Sequence, residues 1–426
     1  MYPRNLLISL REAIADTPVV LVNGARQTGK STLVQALIGD GFDARYVTCD
    51  DATVLAAARS SPADFLAGFN GPVIVDEVQR APELFVALKA AVDRDRRPGR
   101  FLLTGSADVL MLPAVSESLA GRMEVLTLWP LSQGEIAGVR EGFIDALFSR
   151  ELPAYPGSRL TRDELIGRML AGGFPEVTSR ASMRRRRAWF GSYVTTILQR
   201  DVRDITNIEG LADLPRLLAL IAARTGSLLN FAELSRSSAI AQSTLKRYMT
   251  LLEMTFLVQP LHAWSGNLGK RLIKAPKVML SDLGLAAFLL GLDPGAEDGD
   301  LGTVLGPLFE SFVAMEVRKQ VAWSTVQPRL YHYRAATNQE VDLVMEDARG
   351  RIVAVEVKAR SSVDEDDFRH LKFVADQLGK RFLQGVVLYT GQEALSFGAN
   401  LIALPVGALW ELGAMAANDE AEVAGG

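Results

Sequence analysis

The sequence predicts an α/β protein of several domains, and three observations carry that prediction. Near the N-terminus a glycine-rich loop stands between an apolar run and a helix-forming run. A later apolar run ends in two adjacent carboxylates. Toward the C-terminus the pattern reads as helix, three strands, helix and strand. The 426 residues suffice for two to four domains.

Residues 5–15 have the spacing of an amphipathic helix. Pro18-Val19-Val20-Leu21-Val22 reads as a buried strand. The next segment, Gly24-Ala25-Arg26-Gln27-Thr28-Gly29-Lys30-Ser31, fits G-x-x-x-x-G-K-[ST] without a mismatch. Thr32 to Leu37 reads as the first turns of a helix. Strand, loop and helix form the context in which this pattern binds phosphate. Gly24 and Gly29 let the chain curl with its N–H groups inward, and the helix adds its positive end. Lys30 is expected to reach the β- and γ-phosphates of ATP, and Ser31 to put its hydroxyl on Mg²⁺. Thr32 completes the expected nucleotide-binding set.

Arg45–Thr48 reads as a second strand, and Pro72-Val73-Ile74-Val75-Asp76-Glu77 as a third with acidic residues at its tip. Asp76 is expected to hold Mg²⁺, and Glu77 to polarise the attacking water as general base. Phe101-Leu102-Leu103-Thr104-Gly105-Ser106 is a further strand with polar residues at its C-terminal end, where ligands sit in open α/β sheets. Thr104 or Ser106 is a candidate sensor of the γ-phosphate, against the plain reading of a strand-end turn. Arg122 precedes a last strand, Met123–Leu128. It can meet phosphate in its own subunit or in a neighbour's, or be a surface arginine. Action on a neighbour requires a homo-oligomer.

These segments resemble one family. Gly24 to Ser31, Val73-Ile74-Val75-Asp76-Glu77-Val78-Gln79-Arg80-Ala81-Pro82 and Leu102-Leu103-Thr104-Gly105-Ser106 are similar to the bacterial and archaeal AAA-type P-loop ATPases with a C-terminal domain of uncharacterised function. The likeness continues through Leu131-Ser132-Gln133-Gly134-Glu135, Gly172-Gly173-Phe174-Pro175-Glu176, Arg200-Asp201-Val202 and Ser281-Asp282-Leu283-Gly284-Leu285. It implies a P-loop NTPase domain over residues 1–136 and ATP hydrolysis with Mg²⁺.

Residues 137–213 read as a helical connector whose first part, to 160, is an irregular glycine- and proline-bearing link. Arg184-Arg185-Arg186-Arg187 lies beside Trp189, Phe190 and Tyr193. That grouping suits a nucleic-acid backbone and its bases, or a solvated helix face. Residues 214–300 have winged-helix-like spacing: an apolar helix at 214–224, a short helix from Phe231, a turn at Ala239–Ala241, and a second helix over Ser243–Leu252. Phe256–Val258 and Lys277–Leu280 would be wing strands. Lys246 and Arg247 on the second helix, with Lys270, Arg271, Lys274 and Lys277 near the wing, are candidate DNA contacts. A packing module is the alternative.

Residues 301–412 carry the C-terminal pattern. A helix runs from Gly306-Pro307 to about Gln320; strands follow at 330–333, 340–345 and 352–357, then a helix near 368–378 and a strand at 386–389. Asp342 and Glu356-Val357-Lys358 within it resemble the restriction-endonuclease-like fold. Asp342, Glu356 and Glu310 form an oxygen-rich candidate site for a second Mg²⁺. Lys358, on the same strand face as Glu356, is a candidate for orienting water on a scissile phosphate. Charged pairs that merely support a sheet are the alternative. Residues 413–426 are small and acidic, the composition of a flexible tail.

Composition narrows the function classes. The net charge of −4 gives no global attraction to nucleic acid, so any such site is a local patch. A single cysteine, Cys49, excludes internal disulfides and cysteine-based zinc sites. His262, His332 and His370 lie far apart in sequence. The N-terminal residues do not read as a signal peptide, and no apolar stretch spans a bilayer. The expectation is a cytoplasmic ATPase acting on or with nucleic acid, DNA before RNA, through a nuclease-like domain. The alternative is a nucleotide-driven switch for protein partners, with that domain as an inactive scaffold.

Overall fold

The structure is a computed structural model that describes residues 2–107, 119–198, 213–266, 271, 274–292, 301–335 and 339–416. Its N-terminal part is a five-stranded sheet in the order β2-β3-β4-β1-β5. The strands are β1 (Val19–Asn23), β2 (Arg45–Thr48), β3 (Val73–Asp76), β4 (Phe101–Gly105) and β5 (Met123–Thr127). Every pairing is parallel. Buried on both faces, β1, β3 and β4 need continuous apolar runs, as their sequences provide. Val20, Val22, Ile74 and Leu102 pack on one face with Leu6 and Leu10 of the helix Leu6–Asp16. Val19, Leu21, Val73, Val75 and Leu103 pack on the other with Leu84 and Leu88 of the helix Leu84–Arg94. The parallel register brings Asn23, Gly105 and Thr127 to one edge, and Thr48 and Asp76 likewise. That carboxyl edge carries the site.

Residues 137–160, expected as an irregular link, contain a buried helix, Phe143–Phe148, with Phe143 and Ile144 inside the core. Gly142 and the neighbouring glycine and proline residues punctuate the segment, but Phe143, Ile144, Leu147 and Phe148 anchor it. A short strand before it, β6 (Val139–Arg140), pairs with another near the C-terminus, Met415–Ala416. The tail expected from 413 therefore begins as paired backbone, because β6 offers it a partner edge. Residues 417–426 lie outside the described part.

Helices Leu214–Ala222, Phe231–Ser238 and Gln242–Met254 follow, with Ala239–Ala241 between the last two. An antiparallel ribbon comes next, β7 (Val258–Leu261) against β8 (Lys277–Leu280). The Gly172-Gly173 and Ser281–Leu285 segments interlock. Asp282 accepts from the Gly173 amide at 2.7 Å and from the Leu285 amide at 2.9 Å. The Gly173 carbonyl accepts from the Leu131 amide at 2.7 Å, and a Cβ on Gly173 would stand 2.2 Å from the Leu131 carbonyl oxygen. Only glycine permits that approach.

The C-terminal part is a six-stranded mixed sheet in the order β13-β14-β12-β11-β10-β9. Its strands are β9 (Arg329–Arg334), β10 (Glu340–Glu346), β11 (Ile352–Lys358), β12 (Phe382–Tyr389), β13 (Leu395–Gly398) and β14 (Leu401–Pro405). The long helix Leu305–Val321 lays Leu308 and Phe312 on one face, with Leu343, Val353 and Val355. The helix Arg369–Leu378 lays Leu371 and Val374 on the other, with Val341, Val344 and Ala354. One continuous apolar cluster runs from Ala25 and Trp129 through the helices to Leu412.

Candidate functional site

The loop after β1 is held from several sides. Gly24 has φ 141°, and a Cβ there would stand 2.2 Å from the Leu128 carbonyl oxygen. Gly29, at φ 95°, turns the chain into the helix Lys30–Gly39. Lys30 is buried, and its Nζ donates to the Gly24 carbonyl at 2.9 Å and the Ala25 carbonyl at 2.8 Å. The ammonium is thus stationed over the loop, with helix Lys30–Gly39 starting beside it. This concavity of amides, helix end and ammonium fits a nucleotide's phosphates.

Two contacts on this loop were invisible in the motif. Arg4 donates to the Thr28 carbonyl at 2.6 Å and the Trp129 carbonyl at 2.7 Å, and pairs with Glu135 at 3.1 Å. Tyr193, from the helix Met183–Thr196, donates to the Arg26 carbonyl at 3.2 Å. Arg4 belongs to no local pattern, and Tyr193 stood out only as one of the aromatic rings beside Arg184–Arg187, with nothing to link it to the loop.

At the tip of β3, Asp76 is buried under hydroxyls. Ser31 Oγ lies 3.0 and 3.1 Å from its two oxygens, Tyr46 donates at 2.7 Å, and Thr104 donates to Oδ1. Burial first, then the Asp76 carboxylate, pushes the Tyr46 phenol well above its ordinary value. The all-oxygen donor set of Ser31 and Asp76 suits Mg²⁺. Glu77 adopts a left-handed backbone, φ 57° and ψ 43°, which for a non-glycine residue is a strained conformation that collects at functional sites. Its amide donates to Thr104 Oγ1 at 3.1 Å, and its carboxylate accepts from Ser106 Oγ at 3.0 Å and from Gln79. Gln79 also donates to Ser106 Oγ at 2.8 Å. The structure thus gathers Lys30, Ser31, Asp76, Glu77, Thr104 and Ser106 on one edge. Sequence reasoning missed Tyr46 and Gln79.

Arg122 is placed elsewhere. It precedes β5, whose Met123 pairs with Val19 at the start of β1, so it stands at the sheet edge opposite the loop. Its Nε binds Asp93 at 2.6 Å. The expectation that Arg122 serves its own subunit's phosphate is corrected: a full strand length separates the two.

The basic residues of the middle segment divide. Lys246 and Arg247 are exposed on the outward face of the helix Gln242–Met254. Arg271, expected on a wing, is instead paired with Glu346 at 2.7 and 3.2 Å and lies over Trp264 and Tyr331. Its charge is spent inside the protein. Lys274 donates to the Arg334 carbonyl at 2.8 Å. Lys270 lies outside the described residues. Trp189, Phe190 and Tyr193, weighed as base-stacking rings, pack on Phe174 and one another instead. Phe190 and Tyr193 are buried, so these rings are core.

In the C-terminal sheet the structure brings Glu310, Asp342, Glu356 and Lys358 together, around a residue from another segment. Lys277, at the start of β8, is buried, and its Nζ lies 2.5 Å from Glu310, 3.3 Å from Glu340 and 3.4 Å from Asp342. Asp342 Oδ2 accepts from the Val357 amide at 2.9 Å, and Lys358 binds Glu356 at 2.9 Å. Burial, then the Asp342 charge, pushes both Glu310 and Glu356 up. Burial pulls the Lys277 ammonium down, but Glu310, Asp342 and Glu340 outweigh it and raise it. Among the described residues no three His, Cys, Asp or Glu side chains are grouped to hold a metal ion. Of the residues expected to ligate a second Mg²⁺, Glu310 and Asp342 are paired with the Lys277 ammonium instead, and Glu356 with Lys358. Among the described residues no helix is long and apolar enough to cross a membrane.

Residues 16–137 match the AAA domain family. Residues 162–296 and 305–409 match two families described as domains of unknown function, DUF8612 and DUF4143. The chain is 32% identical over 403 residues to uncharacterized proteins of Mycobacterium tuberculosis and Mycobacterium bovis, covering 94% of this chain and 83% of each relative. Among solved structures it is similar to the Walker-type ATPase of Pyrococcus abyssi, at 15% identity and a TM-score of 0.43, over 67% of this chain and 94% of that one. With its phosphate loop, its acidic strand tip and this extent of identity, the chain belongs to the same family as the two mycobacterial proteins and carries an AAA-type P-loop ATPase domain.

Proposed function

We propose that the protein binds and hydrolyses Mg-ATP, and that the hydrolysis cycle drives a switch whose output lies in the middle and C-terminal modules. The observation that carries this reading is the assembly of Lys30, Ser31, Asp76 and Glu77 at one sheet edge. Lys30 would exchange its loop carbonyls for phosphate oxygens. Ser31 and Asp76 would hold Mg²⁺, which supplies charge neutralisation between the phosphates. Glu77, fixed by Ser106 and Gln79, would take the proton of the attacking water. Thr104, touching both acidic residues, would register the change at the γ-phosphate. Arg122 would act only on a neighbour's nucleotide, in a homo-oligomer. Lys30→Ala should abolish ATP turnover in a phosphate-release assay; normal turnover in that variant would overturn the proposal.

Two features support a partner-binding switch in which the C-terminal domain is an inactive, restriction-endonuclease-like scaffold. The order of its elements fits that fold, and Lys277 fills its acidic cluster. One observation favours nucleic acid as the partner: Lys246 and Arg247 are exposed on the second helix of a winged-helix-like arrangement. On that reading the helix meets the DNA major groove. Binding of a DNA duplex should weaken steeply with salt and fall in the doubly substituted Lys246→Ala, Arg247→Ala chain. Absence of DNA binding at low salt, in every nucleotide state, would leave a protein as the partner.

A further inference from the structure

We propose that the Lys277 ammonium is the resident cation of the C-terminal acidic cluster, standing in for a divalent metal, so that this domain functions metal-free and clamped to the ribbon that bears the lysine. The comparison with a metal rests on the restriction-endonuclease-like reading above; the ion network itself does not.

An ammonium has three protons to donate and no acceptor. Lys277 has three carboxylates within reach, from Glu310 on the long helix and from Glu340 and Asp342 on β10. Its side chain is 3% exposed, so the ammonium is withdrawn from water to a place where an unpaired charge would be costly. A second, independent feature shows that the surroundings are built for a cation. Glu356 is 7% exposed, and its Oε2 has no hydrogen-bond partner although Oε1 is bound by Lys358. A buried carboxylate oxygen without a donor marks a cluster with no cation to spare, so removal of the Lys277 ammonium would leave it in need of another. A divalent ion gathers oxygens at about 2.1 Å and needs roughly six of them. Lys277 holds Glu310 and Asp342 at hydrogen-bond separations instead, and Asp342 spends its other oxygen on the Val357 amide.

The lysine does not come from the sheet that it neutralises. It opens β8, and the same strand leads into Ser281 and Asp282, the residue that grips Gly173. The acidic cluster therefore receives its cation from the segment whose Asp282 holds Gly173, next to Phe174; Phe174 packs on Tyr193, and Tyr193 donates to the phosphate loop. The positive charge is delivered by chain connectivity and cannot diffuse away.

The test is Mn²⁺ binding by the full-length, nucleotide-free chain, followed by electron paramagnetic resonance of free Mn²⁺. Wild type, D342N, K277M, K277R and the double variant K277M/D342N are compared, so that any Mn²⁺ at the Ser31 and Asp76 site is common to all. One additional Mn²⁺ per chain is expected in K277M, none in K277R, and loss of the added ion in K277M/D342N. K277Q serves in place of K277M if the latter does not fold, as judged by circular dichroism. A wild-type Mn²⁺ ion that disappears in D342N would overturn the proposal. So would a folded K277M chain that gains none. ATP turnover measured on the same samples separates the two readings: its absence in wild type would defeat the ATPase proposal and leave the Mn²⁺ count standing.

Discussion

Glu77 shows how a single residue departs from its neighbours. It follows a fully buried strand, yet its backbone is left-handed and its carboxylate is pinned by Ser106 and Gln79. The strain is maintained by the Thr104 hydroxyl on its amide. Glu77→Gln should keep ATP binding and lower turnover by roughly 10²–10⁴-fold, the range for loss of a general base. Equal losses of binding and turnover, measured by nucleotide titration beside phosphate release, would remove Glu77 from the base role. Lys30, Ser31, Asp76 and Glu77 were readable because each belongs to a contiguous pattern. Tyr46 was not, because its partner Asp76 is reached across β2 and β3, and nothing around Tyr46 announces the pairing. Gln79 sat inside the family motif, but only the turn over Val78–Arg80 shows that it supports Glu77.

Among elements, the segment from β8 to the helix Leu283–Leu290 joins two distant parts of the chain. At its head Lys277 enters the acidic cluster, and at its foot Asp282 caps the helix and holds Gly173. Asp282 is fully enclosed, and burial raises its pKa against the amides that lower it. Asp282→Ala would strand two buried amides, and should cost roughly 3 kcal/mol in a urea titration. A change under about 0.5 kcal/mol would show that the interlock carries little stability. The glycine pair and the Ser281–Leu285 segment were both visible in the sequence as marks of a family. Their meaning was hidden, because the partners lie 109 residues apart. The strands of both sheets were legible from apolar runs, but β13 and β14 were missed: Leu395–Gly398 is an edge strand with exposed side chains and no alternating signal.

At the scale of the whole molecule, the apolar cluster from Ala25 to Leu412 links the N-terminal, helical and C-terminal parts, with a buried polar seam beside it. Glu141 lies in that seam, accepting from Asn5 at 2.5 Å and from the Gly134 amide at 2.9 Å. Burial, then the Glu135 charge, pushes its carboxyl up from 4.5 to about 8. Because the folded pKa is the higher one, this group's stabilisation is complete below about 4.5 and fades as pH rises toward about 8. The loss is on the order of 1 kcal/mol per pH unit at most. Denaturant midpoints between pH 5 and 9 should therefore fall for wild type, and less steeply for Glu141→Gln. Parallel slopes would mean that Glu141 ionises alike in both states. This seam was beyond sequence reasoning, since Glu141 lay in a stretch whose glycine and proline residues suggested a link rather than a core.

The Arg4 guanidinium gives the N-terminal chain a practical significance. It reaches Thr28, Trp129 and Glu135 at once, while Tyr193 grips the same loop from a helix far along the chain. A subcloned fragment ending near residue 136 would keep the phosphate loop and the acidic strand tip and lose Tyr193. One starting after Arg4 would lose the other brace. Kinetic constants from either fragment would describe a slackened loop, so the enzymology of this protein has to be done on the uncut chain.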